Sequence, residues 1–99
     1  MKITRLVKLT FRPEEVDTFI DIFEKTKDKI KAQEGCEHLE LLRDSANKNV
    51  FFTLSKWKNE QYLNQYRGTA LFEETWRNTK ALFSTKADAW SVEVISETD

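Results

Sequence analysis

The chain has 99 residues, 39% of them hydrophobic and 33% charged, and its 16 basic and 17 acidic residues leave a net charge of −1. The charges are interleaved, so no basic block addresses nucleic acid, and no apolar run approaches membrane-spanning length. One cysteine, Cys36, and one histidine, His38, exclude an internal disulfide and the usual multi-ligand zinc set.

A chain of this size reads as one domain over residues 1–99 with a single core. The opening Met1-Lys2-Ile3-Thr4-Arg5 lacks a signal-like apolar segment, so the expected compartment is the cytoplasm. Residues 3–11 alternate: Ile3, Val7, Leu9 and Phe11 share one side, interrupted by Arg5, which predicts a strand. Arg12-Pro13-Glu14-Glu15 then opens a helix, with proline in the first turn and acids beside the positive helix end. Val16, Phe19, Ile20, Phe23 and Ile30 continue it at helical spacing, and Gly35 ends it.

Cys36 to Arg43 reads as a second strand, with Leu39 and Leu41 on one face and Cys36, His38, Glu40 and Leu42 on the other. The polar turn Asp44–Asn49 joins it as a hairpin to a third strand, Val50 to Trp57. Lys58-Asn59-Glu60 starts a short helix ending at Arg67. Gly68 separates this from a longer helix capped by Thr69, whose buried stripe is expected to be Phe72, Trp76, Thr79 and Phe83. Trp90 to Ile95 reads as the fourth strand.

The order β-α-β-β-α-β predicts an α+β, ferredoxin-like fold with a four-stranded antiparallel sheet. Helices would cover one sheet face, yet the strands are apolar on both faces. The second face is therefore expected to pack against another copy of the chain, as a homodimer.

Three groups of residues invite a functional reading. His38 is either a base or donor in a pocket, or a half-buried sheet histidine. Cys36 lies two residues from it, about 7 Å at strand rise, too far for direct activation; a small buried thiol is the simpler reading. The rings of Trp57, Tyr62, Tyr66, Phe72, Trp76 and Phe83 either fill the core or line a pocket. Tyr66 and Trp76 carry polar atoms that need partners when buried.

Several segments together carry a resemblance: Glu34-Gly35-Cys36, Leu39 to Asp44, Phe51 to Trp57, and Trp57-x5-Leu63-x2-Tyr66-x2-Thr69-x2-Phe72. From Ile3 to about Val94 the chain resembles the antibiotic biosynthesis monooxygenase family, whose members are dimeric α+β barrels. The resemblance implies a pocket between sheet and helices and a cofactor-independent oxidation of a small aromatic or quinol-type molecule by O2.

On that resemblance His38 and Tyr66 are the candidate catalytic groups, with Arg5, Phe23, Trp57, Phe72 and Trp76 around the substrate. Two departures stand out: Tyr66 replaces a histidine frequent in the family, and Ser55 replaces a glutamate. In related haem-degrading oxygenases the iron-ligating histidine would fall at Trp76, and an indole cannot ligate iron. A non-catalytic binding or stress-related dimer, and an isomerase or decarboxylase, are the alternatives on the same fold.

Overall fold

A computed structural model describes all residues, Met1–Asp99. Alternation along β1 (Ile3–Phe11) gives a strand that buries Ile3, Leu9 and Phe11 on one side. Arg12 is extended, and Pro13 opens a single 3-10 turn, Pro13–Glu15, that feeds α1 (Val16–Lys31). Val16, Phe19 and Ile30 turn the apolar face of α1 onto the sheet.

The chain reverses at Gly35, where φ is +83°. A Cβ there would collide with Cγ and Cβ of Tyr62, so both backbone and packing require glycine. β2 (Cys36–Arg43) and β3 (Val50–Trp57) form the expected hairpin. The Asp44 carboxylate closes its turn by accepting from the backbone N–H groups of Ala46 at 3.1 Å and Asn47 at 2.6 Å.

Asn59 caps α2 (Glu60–Arg67) by accepting from the Tyr62 N–H at 3.1 Å. Thr69 caps α3 (Ala70–Lys80) through the Phe72 N–H, also at 3.1 Å.

The last strand differs from the expectation. β4 runs over Phe83–Val92, not Trp90–Ile95, and Phe83 is its first residue instead of the last turn of α3. Phe83 falls seven residues after Trp76, which mimics a helical stripe, but α3 ends at Lys80 with Ala81 as its cap. Phe83 instead pairs with Phe11 on the sheet.

The sheet order is β2-β3-β1-β4, with antiparallel neighbours throughout, a ferredoxin-like α+β arrangement. Helices cover the face bearing Leu9, Phe11 and Phe51, which pack with Val16, Phe19 and Leu82 in one core cluster. A second cluster joins Ile3, Cys36, Trp57 and Leu63 near the other end of β1.

The opposite face carries apolar groups across all four strands. In register, Leu54 pairs with Leu6 and Leu6 with Trp90, while Phe52 pairs with Leu42. Leu42, Trp90 and Val92 are 39%, 45% and 45% exposed.

An irregularity between Cys36 and His38 changes the phase of β2. Cys36 opposes Trp57 and is buried with it, whereas His38 opposes Lys56. One extra residue, Glu37, thus puts Cys36 and His38 on opposite faces, where simple alternation had placed them together.

Candidate functional site

The core does not close completely between its two clusters. A cavity of about 240 Å³ lies between sheet and helices, bounded by Leu9 and Phe19 of one cluster and Trp57 and Leu63 of the other. Packed interiors hold few voids larger than a water molecule. A sealed, dry void of this size would cost about 6 kcal/mol at ~24 cal/mol per Å³, comparable with the whole stability of a small domain. The cavity opens to solvent and is close to the small end of the size range of ligand pockets, roughly 300–1,000 Å³.

Six aromatic rings line it, Phe19, Phe23, Trp57, Tyr66, Phe72 and Trp76, and Phe83 and Phe11 behind the wall link them into one run. Trp57 stacks on Tyr66 with centroids 5.2 Å apart and planes at 21°. Tyr66 meets the edge of Phe72 at 5.2 Å, and Phe72 lies nearly parallel to Trp76 at 6.2 Å. Trp76 touches Phe83, Phe83 touches Phe11, and Phe11 stacks on Phe19 at 4.1 Å, with Phe23 beyond it. The spacing of α2 and α3 makes this possible: Leu63, Tyr66, Phe72 and Trp76 recur at helical intervals and face the sheet.

Trp57 is fully buried, and its Nε1–H donates to Ser55 Oγ at 2.9 Å, which fixes the indole plane. Ser55 therefore serves as a clamp on the wall. The Tyr66 hydroxyl makes no hydrogen bond within the chain, yet no fully buried side-chain polar atom lacks a partner. The hydroxyl is therefore not sealed in the core, and Tyr66 lines the open cavity. Burial, and secondarily Cys36, pushes its pKa up to about 12, so at neutral pH it is a proton-bearing donor.

Arg5 comes from β1 and lines the cavity, with Nη1 donating to Ser91 Oγ of the neighbouring strand at 3.0 Å. Burial, then the neighbouring Arg67, lowers its pKa from the ordinary value. Arg67, at the end of α2, lines the same cavity and forms no ion pair. No Asp, Glu, His or Cys is among the lining residues.

Six of the seven sequence-derived site residues thus meet in one place: Arg5, Phe23, Trp57, Tyr66, Phe72 and Trp76 all line the cavity. His38 does not. It sits on the far face of the sheet, 3.4 Å from Glu40 and in register with Lys56. The physical reason is the extra residue Glu37, which turns His38 outward and Leu39 to the cavity.

Cys36 is a buried core thiol whose pKa burial raises, with Sγ 3.7 Å from the His38 carbonyl oxygen. Sequence reasoning missed Arg67 and Ser55. Arg67 looks like an ordinary cation at a helix C-terminus. Ser55 looks only like a missing glutamate.

A model of the antibiotic biosynthesis monooxygenase family matches residues 2–81. Among solved structures, a conserved protein from Methanosarcina mazei Go1 is 20% identical over 93% of this chain and 91% of that one, with a TM-score of 0.89. Rv0793 from Mycobacterium tuberculosis superposes over 100% of both chains at 11% identity and a TM-score of 0.90. A point mutant of SnoaB from Streptomyces nogalater, a cofactor-independent oxygenase, is 16% identical over 97% of this chain and 95% of that one, with a TM-score of 0.87. At these identities the likeness is one of fold. No curated protein matches the sequence.

Proposed function

The chain belongs to the antibiotic biosynthesis monooxygenase family, and on that premise we propose that its cavity binds a small electron-rich aromatic and oxidises it with O2, drawing the electrons from the substrate itself. The observation that carries this reading is a cavity walled by rings and free of acids, with Arg5 as a cation and Tyr66 as a protonated phenol on its wall.

These groups suit an anthrone-like substrate, a phenol in its enol form. Loss of one proton gives an oxyanion that Arg5 stabilises in an environment of low polarity. The anion gives one electron to O2, and the resulting radical pair joins as a carbon–oxygen bond. The proton returned to the outer oxygen makes a hydroperoxide. Loss of water then leaves a carbonyl, so CH2 and O2 become C=O and H2O. Tyr66 donates a hydrogen bond to the oxygen on which charge collects. The rings exclude water from the intermediates.

With no carboxylate or histidine in the cavity, the proton leaves to solvent at the mouth. The pH–rate profile is then expected to follow the substrate's own ionisation, with no inflection near the ordinary histidine pKa of about 6.5. His38→Ala is expected to change kcat/KM less than about twofold, where loss of a true general base costs roughly 10²-fold or more. Steady-state oxygen uptake across pH 5.5–9 checks both. The missing base also leaves no group in the cavity to carry a proton between two carbons, as an isomerase would need. It gives weight to one second reading, a module that binds an aromatic molecule without turning it over. Saturable binding without oxygen uptake would select that reading.

The same proposal includes a homodimer. Leu6, Phe52, Leu54 and Trp90 form a band across the uncovered sheet face that a second copy would bury. Light scattering at micromolar concentration is expected to give twice the chain mass, and a stable monomer would refute the dimer.

A further inference from the structure

The oxidation reading uses one cation, because a single phenolic oxyanion needs one. The cavity has two. Arg5 projects from the sheet and is held by Ser91, while Arg67 comes from the end of α2 and lines the same cavity. They lie close enough for Arg67 to disfavour the charged form of Arg5.

What sets these two cations apart is their place on the wall of one largely apolar cavity; the ion pairs of the molecule, such as Lys2 with Glu37 and Lys25 with Asp21, lie outside it. Arg5 and Arg67 have no such partner, and the cavity wall carries no acid at all. Two like charges brought together beside an apolar wall are unfavourable unless an anion joins them.

Resting on the proposed aromatic-binding role of this cavity, we infer that Arg5 and Arg67 form a carboxylate subsite, so that the ligand is an aromatic acid with its ring against Trp57, Tyr66 and Phe72 and its carboxylate at the mouth. A carboxylate suits this pair better than a phenol. It has two oxygens and about four lone-pair sites, so each guanidinium can hold its own oxygen. The arrangement also divides the labour: the ring is recognised by stacking, the acid by charge, and the position of one relative to the other sets which ring carbon meets oxygen.

Isothermal titration calorimetry without O2 tests this, using 2-naphthoate, 2-naphthamide and 2-naphthol at pH 7 and low salt. Naphthoate is expected to bind at least about tenfold more tightly than the isosteric amide, and the preference is expected to shrink with added salt. Arg67→Gln, at an exposed position, is expected to bring the acid-to-amide ratio close to one while leaving amide affinity and thermal midpoint unchanged. Arg5→Gln is expected to lower the same ratio.

If Arg67 only complements the helix end, its replacement shifts the thermal midpoint and leaves the ratio alone, which overturns the inference. Equal affinity for acid and amide overturns it, as does naphthol binding as tightly as naphthoate, or no saturable binding of naphthoate. The titration involves no turnover. A failed acid preference therefore leaves the oxidation reading standing, and a failed oxidation assay leaves this subsite standing.

Discussion

Trp57→Ala is expected to destabilise the protein by about 3–5 kcal/mol, lowering the thermal midpoint by roughly 15–30 °C for a chain of this length. The indole is 0% exposed and belongs to the cluster with Ile3, Cys36 and Leu63. Its removal merges the space it occupied with the existing cavity, so little of the loss can be recovered by collapse. It also strips Tyr66 of its stacking partner and Ser55 of its donor. Trp57→Phe keeps most of the volume and is expected to lose clearly less. Urea unfolding of both variants measures the difference, and equal midpoints would contradict the packing account.

Tyr66→Phe is expected to separate stability from activity. The hydroxyl has no partner in the chain, so its removal leaves nothing unsatisfied, and at pH 7 the thermal midpoint is expected to hold or rise. Turnover is expected to fall about 10²-fold, as when a donor to a developing oxyanion is removed.

The same residue gives a pH signature. Its phenol titrates near 12 in the folded protein against an ordinary value of 10.0. Between those values the folded chain holds a proton that the unfolded chain has released. Stability from this group is whole below about pH 10 and lost as pH rises towards 12, by about 2–3 kcal/mol. Tyr66→Phe lacks this loss, so the gap between the two proteins, followed by denaturant unfolding from pH 9 upwards, isolates it from the lysines that titrate nearby.

Much of the fold is legible because β1, β3 and α1 bury large side chains at regular intervals, while β2 alternates with Leu39 and Leu41 half-buried. Ile3 to Phe11, Cys36 to Arg43 and Val50 to Trp57 appear in the sequence with the bounds the structure gives them. β4 is different. It is an edge strand whose first half, Ser84 to Ala89, is small or polar. Edge strands are commonly blunted in this way, and the pattern that would mark the strand is missing. Phe83 then joins the helical stripe of α3 by spacing alone.

The site shows the same limit. Stacking residues announce themselves by size and interval, so Tyr66, Phe72 and Trp76 are readable. The direction of His38 depends on one extra residue in β2 that composition does not reveal. Arg67 gains meaning only once it is seen to line the same cavity as Arg5.

In the proposed function this cavity lets an aromatic substrate reduce O2 with its own electrons. The direct measurement is oxygen uptake by the chelator-treated protein with a panel of anthrone-like phenols and quinols, using isotopically labelled O2. Saturable, protein-dependent uptake is expected, with one labelled atom in the new carbonyl of the anthrone-like product and suppression in Tyr66→Phe. Uptake no faster than the uncatalysed rate for every member of the panel would contradict it.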